Sequence, residues 1–461
     1  MSPGGQAPGE PTARQVTDMA TSRRFFRCRC GPGRWSGPLA AAILAGVLPL
    51  QAWAADQPRP IQSIYGPTRP GVDRLATPDE VDVAPLGPFP VREDSDYAPR
   101  GLHLGGFLVS PSLRIEEKYD DDIFANDTDE GDFVTTIRPS ISAQSTWSRH
   151  GLGMQAFGEI RRNAIHQTED AEEGGASLTG RLDVTDVDYL SGFASYSREA
   201  DDRSDPDDAG QSQLSLFDRY VAQTRYGHQF TRFSVRVDAR LQRLDYVYSF
   251  DDDRDRNEFR IGPRFSYLIS PSLSAFVETS YLDRNYDAAV DNGVDRDSQT
   301  YEALAGLAFD LGPVMTGEIA AGALHAEFDD PNFDAVTEPA IEGSLNWSVT
   351  ELTTVTGRIA REATTTTQLG SSGKIVSHAS LRVEHELLRN VLLGAQIDLR
   401  NEDYQGDDRV DNRIDVQIGG SYLINRNASV SLGYQYRNRM SNEETAEFDE
   451  NIIRLGVDLH M

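Results

Sequence analysis

The chain has 461 residues, a formal net charge of −29 and only two cysteines, Cys28 and Cys30. So acidic a chain repels phosphate backbones, which excludes nucleic acid as a partner. Both cysteines precede residue 55, in a region that we expect to be removed. Disulfides, cysteine-ligated metals and cysteine nucleophiles are therefore excluded from the mature protein.

Residues 1–54 have the pattern of a signal peptide. Arg23 and Arg24 precede the apolar run Leu39 to Leu50, which is followed by the small-residue cleavage site Ala52-Trp53-Ala54. This run is shorter than the ~20 residues that span a bilayer as a helix. The segment Ser22 to Phe26 also resembles a twin-arginine export signal. We favour the ordinary signal, because an outer-membrane barrel must cross the periplasm unfolded.

Residues 55–100 contain nine prolines, among them Pro58, Pro67 and Pro88. Proline lacks the backbone N–H that helices and paired strands require. We expect a periplasmic linker or tail, and the alternative is a tail that folds back into a barrel as a plug.

From residue 101 to 461 the chain repeats one hairpin pattern about every 40 residues. In the last hairpin, Ile414, Val416 and Ile418 alternate with Asp415 and Gln417. Such alternation places apolar side chains on one face of a strand and polar ones on the other. Tight turns alternate with long acidic connections, which predicts an all-β, antiparallel, up-and-down transmembrane β-barrel. The turns are expected near His150-Gly151, Asp186, Gln229 to Arg232, Pro271, Gly312-Pro313, Val349-Thr350, Arg389-Asn390 and Arg426.

Counting strands between these connections gives about 18, and an even count places both chain ends beside the short turns in the periplasm. The segments Met315 to His325 and Leu352 to Arg361 alternate poorly, so 16 is the alternative. Between Leu241 and Leu244 the apolar residues change from odd-numbered to even-numbered positions, which suggests a β-bulge. A soluble β-sandwich would alternate too, but nothing in that fold enforces alternating short and long connections.

Aromatic residues mark both expected membrane interfaces. Five lie shortly before a short turn on the apolar face and form the predicted periplasmic girdle: Trp147, Tyr267, Phe309, Trp347 and Tyr422. The predicted outer girdle comprises Tyr246, Tyr248, Tyr281, Tyr286, Tyr404, Tyr434 and Tyr436.

The polar faces of the strands carry charges of both signs, which we expect to line the lumen. The candidates are Arg236, Asp238, Arg240, Arg260, Arg264, Asp398, Arg400, Asp415, Arg437 and Arg439. Barrels of 16 to 18 strands leave room for water, so one hypothesis is a pore with a transverse field. The alternative is that these residues form salt-bridged ladders in a wall whose lumen is closed.

The stretch Gly101 to Leu113, followed by Tyr119 to Phe124, Ile137-Arg138-Pro139 and Trp147 to His150, resembles the opening of the putative β-barrel porin type 2 family. This bacterial outer-membrane family usually has Asn where Asp122 stands. Outer-membrane barrels also tend to end in an aromatic residue, whereas this chain ends in Met461. The resemblance implies a barrel over residues 101–461 without established catalytic residues, in a family suspected of roles in surface polysaccharide export.

No catalytic motif or cofactor-binding site is recognisable, so we expect no enzyme and no cofactor. We expect no metal site either, because Asp251, Asp253 and Asp255 begin like a calcium loop but Arg256 stands where glycine is needed. The sequence favours a porin-like channel for passive diffusion of small hydrophilic solutes in the cell outer membrane. The alternative is a barrel component of polysaccharide export with periplasmic export partners. Other expected partners are outer-membrane lipid, lipopolysaccharide and the barrel assembly machinery.

Overall fold

The computed structural model describes residues 96–126, 130–205, 213–288, 294–368 and 370–461. The signal peptide and most of the proline-rich segment predicted from the sequence lie outside these residues. Within them, no helix is long and apolar enough to cross a membrane. Three single-turn 3₁₀ helices lie in the connections, at Gln167–Glu169, Asp252–Arg254 and Glu444–Ala446.

The described residues form one short strand and eighteen long ones. They are β1 (Leu102–Leu104), β2 (Phe107–Asp120), β3 (Asp132–Ser145), β4 (Gly151–Asn163), β5 (Ala171–Asp183), β6 (Asp188–Ala200), β7 (Leu216–Gln229), β8 (Phe233–Tyr246), β9 (Arg256–Ser270), β10 (Leu273–Tyr286), β11 (Ser298–Asp310), β12 (Met315–Phe328), β13 (Val336–Thr350), β14 (Thr353–Thr364), β15 (Gly373–Leu388), β16 (Val391–Gln405), β17 (Val410–Asn425), β18 (Ala428–Ser441) and β19 (Phe448–His460). The poorly alternating segments are true strands, β12 and β14. The prediction of 18 barrel strands is therefore confirmed, and the alternative of 16 is wrong.

Each long strand pairs antiparallel with its neighbours in the chain, and β19 pairs with β2 to close the barrel. The closing ladder runs from Ile452 opposite Asp120 to His460 opposite Ser112. Beyond it, β1 pairs with the first residues of β2, and the Gly101 N–H donates to the Met461 carbonyl at 3.2 Å. The first and last segments of the barrel thus close it together, which leaves no open sheet edge between β2 and β19.

Short and long connections alternate as predicted, except that the 406–409 connection is as short as the 311–314 turn. The short turns lie at 146–150, 184–187, 230–232, 271–272, 311–314, 351–352, 389–390 and 426–427, and both barrel ends lie on their side. The remaining connections, which include 121–131, 201–215, 247–255 and 287–297, lie at the other rim. This arrangement assigns the short turns to the periplasm and the longer loops to the cell exterior.

The outer wall is apolar because alternate side chains face outward along every strand. On β19, Ile453, Leu455 and Val457 are 50%, 52% and 39% exposed, whereas Ile452 and Asp458 are 1% and 3% exposed. A soluble protein would bury these aliphatic side chains, whereas in a membrane barrel they face lipid. The stabilising apolar contact of this fold is therefore largely with the bilayer.

The bulge predicted between Leu241 and Leu244 is wrong. The ladders of β8 with β7 and with β9 run without a register shift. Leu244 instead lies on the interior face, where it packs with Phe217 and Tyr246 near the outer rim. The register shifts that do occur lie beside short turns, such as that between Ser348 and Thr350.

Candidate functional site

The candidate functional site is the barrel lumen, and all ten residues predicted to line it lie on the interior face of their strands. Six are buried: Asp238, Arg240, Arg264, Asp398, Asp415 and Arg439. The other four are partly exposed: Arg236, Arg260, Arg400 and Arg437. The function of these residues as pore lining stays a prediction.

On the wall formed by β8 to β12, these charges are paired both across strands and along one strand. Arg264 donates to Glu278 at 3.2 Å and to Glu318 at 2.7 Å, and its guanidinium lies 3.5 Å from the ring centroid of Phe276. Arg236 donates to Asp238 at 2.7 Å. Buried charges are tolerated when they are paired in this way.

A second set of pairs lies on β15 and β16. Lys374 lies 3.5 Å from Glu402, and a ring nitrogen of His378 lies 3.2 Å from an Asp398 oxygen. His385, on the same strand, bonds instead to Thr353 at 2.9 Å. Among the described residues, no group of His, Cys, Asp or Glu side chains could hold a metal ion.

The first residues of the connection between β6 and β7, 201–205, fold into the lumen and reach β18. Arg203 in this connection donates twice to Glu169, with both distances 2.8 Å. On the far side, Arg437 of β18 donates to Asp202 at 2.8 Å, and Arg439 donates to the Ser204 carbonyl. Residues 201–205, here termed the inner segment, are therefore held by Glu169 of the β4–β5 connection on one side and by β18 on the other.

The inner segment is acidic, and its charge is held by the arginines it meets. The Asp202 side chain is 40% exposed, yet partial desolvation by the surrounding protein opposes its ionisation, and the charges of Arg437 and Arg413 and the Ser204 N–H outweigh that effect. The pKa of Asp202 consequently lies below its usual range. Asp201 forms an ion pair with Arg254 at 2.7 Å.

Two polar cavities lie in the lumen, and the inner segment lines both. The larger, of about 440 Å³, lies against β6 to β10 and β14 to β18. The smaller, of about 350 Å³, lies against β2, β4, β5 and β17 to β19. Asp201, Asp202 and Arg413 line both cavities. The inner segment thus divides the lumen.

A second connection narrows the lumen from the other side. The ladder between β13 and β14 ends at Ile341 opposite Arg361, and β14 continues paired only with β15. The loop beyond it is held by Arg296, which donates to the carbonyls of Thr366 at 2.6 Å and Thr367 at 3.0 Å. Thr366 and Thr367 also line the larger cavity.

The predicted outer aromatic girdle is wrong at three positions. Tyr246, Tyr286 and Tyr404 are buried on the interior face, 8%, 8% and 1% exposed. Arginine side chains cover their rings, for example Arg254 over Tyr246 at 4.3 Å and Arg409 over Tyr404 at 4.7 Å. These rings make cation–π contacts inside the barrel and so cannot belong to a girdle that faces lipid headgroups.

At the periplasmic rim, the predicted girdle residues lie close to the short turns. Trp147, Tyr267 and Tyr422 are exposed, while Phe309 and Trp347 are half-buried. Trp147 packs edge-on against Phe107, with 5.5 Å between ring centroids, and Tyr267 packs against Phe233 at 5.0 Å. Their function as a girdle stays a prediction.

Residues just before the barrel also contact its interior. Tyr97 packs against Leu392 and Leu423, two buried side chains on the interior faces of β16 and β17 near the short turns. Arg426 donates to the Asp96 carbonyl at 3.4 Å. The end of the proline-rich segment is therefore in contact with the periplasmic rim.

Sequence reasoning missed the inner segment and Arg413. Arg203 stands among aspartates in a connection that was interpreted only as an acidic external loop, and Arg413 has the same parity as Asp415. The parity of Arg413 could have placed it in the lumen. Nothing local could have placed the inner segment, because its partners on β18 lie more than 200 positions away along the chain.

Comparison with family models decides the family. Residues 94–461 match the model described as putative beta-barrel porin 2. The chain belongs to this porin family. This confirms the resemblance noted in the opening of the barrel, and the protein is an outer-membrane β-barrel. No match was found among curated proteins.

Solved outer-membrane barrels are similar to this porin-family chain in overall fold. OprD of Pseudomonas aeruginosa is 13% identical, with 81% of this chain and 99% of that chain covered and a TM-score of 0.40. OccAB4 of Acinetobacter baumannii is 12% identical, with coverages of 77% and 98% and a TM-score of 0.40. The siderophore receptor PirA of Pseudomonas aeruginosa is 10% identical, with coverages of 77% and 80% and a TM-score of 0.39. At these values the similarity identifies neither a solute nor a mechanism.

Proposed function

We propose that this barrel is a porin-like channel for the passive diffusion of small hydrophilic solutes, and that the inner segment sets its narrowest part. The observation that carries the proposal is the pair of polar cavities of about 440 and 350 Å³ inside an apolar outer wall. Charged side chains lining such a space favour water and polar solutes over apolar ones, because apolar solutes gain nothing by leaving water for a charged surface.

The charge arrangement supports diffusion rather than a chemical reaction. Arg264, for example, is engaged by Glu278 and Glu318 of the same wall. Such pairs hold a fixed field across the lumen and present no nucleophile beside a base, which covalent catalysis requires. We accordingly propose a channel without catalytic activity. None of the contacts among the described residues favours the alternative of polysaccharide export.

The test is single-channel conductance of the refolded protein in a planar bilayer. Discrete current steps of stable size are expected from a water-filled path. A barrel that folds, as shown by its heat-dependent electrophoretic mobility and β-rich circular dichroism, but gives no steps would overturn the proposal. That result would favour the closed, salt-bridged wall instead.

The proposal that the inner segment forms the constriction is tested by weakening its contact with Arg437 of β18. Asp202→Asn removes the charge that Arg437 holds at 2.8 Å, so the segment should leave the lumen more often and the mean conductance should rise. Asp408→Asn is the matched control, because it removes one acidic charge from an exposed residue of the 406–409 connection. An equal effect of both substitutions would assign the change to surface charge and not to the constriction.

A further inference from the structure

Three arginines stand side by side on the interior wall near the outer rim. In the register of the sheet, Arg400 of β16 lies directly opposite Arg413 of β17, and Arg413 lies directly opposite Arg439 of β18. All three line the larger cavity. These residues are here termed the arginine row.

Like charges placed directly opposite on neighbouring strands destabilise a sheet. Elsewhere in the lumen this cost is offset by carboxylates, as for Arg264 with Glu318 at 2.7 Å. Two members of the arginine row, Arg413 and Arg439, are compensated less. Arg400 is 3.8 Å from Glu402, and among the described residues neither Arg413 nor Arg439 has a carboxylate oxygen within 4.0 Å.

The two less compensated arginines are nevertheless held in place. Arg439 is 3% exposed, donates to the Ser204 carbonyl and lies over the ring of Phe448 at 5.0 Å from its centroid. Arg413 faces both cavities and lies close enough to Asp202 to stabilise its negative charge. An acidic group of the inner segment therefore already lies at the edge of the row.

We propose that the arginine row is a binding site for small solutes that carry a carboxylate or phosphate group, with Asp202 as an internal competitor at its edge. The proposal rests on the channel function proposed above and names the class of solute. Guanidinium groups bind carboxylate and phosphate oxygens through paired N–H donors, so adjacent arginines suit a solute with several such oxygens. Binding of this solute relieves the repulsion between the arginines.

The test measures how inorganic phosphate and succinate reduce the chloride current through single channels in a planar bilayer. Glucose serves as the uncharged solute. We expect half-block by phosphate at millimolar concentration and no comparable block by glucose. Arg413→Gln should raise the half-blocking concentration about tenfold, as expected when one charge-assisted hydrogen-bonding group is lost. Arg439→Gln gives a second reading if the first variant does not fold.

The matched control is Arg382→Gln, which removes an interior arginine of β15 that pairs with Glu384 at 2.7 Å outside the row. The half-blocking concentration of phosphate for this variant should stay within about twofold of the wild-type value. This change is well below the roughly tenfold increase expected for Arg413→Gln. Equal effects of Arg382→Gln and Arg413→Gln would overturn the proposal, because they would assign the block to the overall charge of the lumen.

Titration calorimetry of phosphate against the detergent-solubilised full chain separates this proposal from the channel function. A barrel that conducts no current but binds phosphate, and loses that binding in Arg413→Gln, would overturn the proposed channel function and support the proposed binding site at the arginine row. A conducting barrel that binds no phosphate and is blocked equally by glucose supports the channel and overturns the row.

Discussion

Replacing Arg437 by glutamine should cost far more stability than replacing its partner Asp202 by asparagine. Arg437 donates to Glu450 at 2.7 Å and to Asp202 at 2.8 Å, but the two carboxylates differ in their surroundings. The Glu450 side chain is 1% exposed and the Arg437 side chain 11%, whereas that of Asp202 is 40% exposed. Arg437→Gln therefore leaves a buried carboxylate unpaired, at a cost of ~3–5 kcal/mol. Asp202→Asn breaks a solvated pair worth ~0–1 kcal/mol.

The assay is urea titration of the refolded protein in detergent micelles, followed by tryptophan fluorescence and extrapolated linearly to water. The double variant Arg437→Gln/Glu450→Gln is the control, because it removes the carboxylate that the single variant leaves unpaired. It should recover most of the lost free energy of unfolding. A loss below ~1 kcal/mol in Arg437→Gln, the range of an exposed pair, would refute the assignment of this pair as desolvated. So would a double variant no more stable than the single one.

Three other outcomes follow from the same contacts. Glu169→Gln should weaken the contact by which Arg203 holds the inner segment to the β4–β5 connection, where the Glu169 and Arg203 side chains are 5% and 7% exposed. It should therefore speed proteolytic cleavage of the 201–215 connection, measured by limited proteolysis in micelles. Leu455→Lys, on the lipid face, should lower the free energy of unfolding in liposomes by ~2–4 kcal/mol, measured by urea titration. The pKa of Asp202 is lower in the folded protein than in the unfolded chain, where it is ~3.9. The stability that the Asp202–Arg437 ion pair adds is therefore fully present above pH ~3.9 and is lost as the pH falls through the pKa of the folded protein. Conductance should therefore be the same at about pH 7 and pH 5 if this contact alone controls the inner segment.

The barrel itself could be predicted from the sequence because alternation has a period of two. A slip of one residue would turn a whole strand over, placing Arg236 and Asp238 in lipid and Val235 and Val237 in the lumen. That cost fixes each register over the full strand length. The strand count, the short turns and the interior position of the ten charged candidates all depend on this one constraint.

The errors arose where an apolar or aromatic residue was assumed to face outward. Tyr404 lies four positions after Arg400 and has its parity, so alternation alone placed it inside. The expectation of an aromatic belt overrode that parity. Leu244 was interpreted as a slip for the same reason, although the interior near the outer rim accepts apolar side chains, such as Phe217, that pack on one another.

The inner segment could not be predicted because its position depends on contacts between distant parts of the chain. Asp202 and Arg437 meet only after β6 and β18 have taken their places in the closed barrel. Local composition identifies the residues after β6 as part of an acidic connection and gives no sign that residues 201–205 turn inward. Such a contact stabilises the finished barrel and leaves no trace in strand alternation.

The net charge of −29 reflects the acidic connections at the rim more than the side chains that line the lumen. The acidic clusters of the long connections repel anions outside the barrel, while the arginine row attracts them inside it. At about 0.15 M salt the screening length is ~8 Å, and at about 1 M it is ~3 Å. Rising salt therefore removes the repulsion by the exposed loops before it removes the attraction by Arg413 and Arg439, which lie behind them in the cavity. The preference of the channel for anions over cations should accordingly increase with ionic strength, opposite to what the composition alone implies.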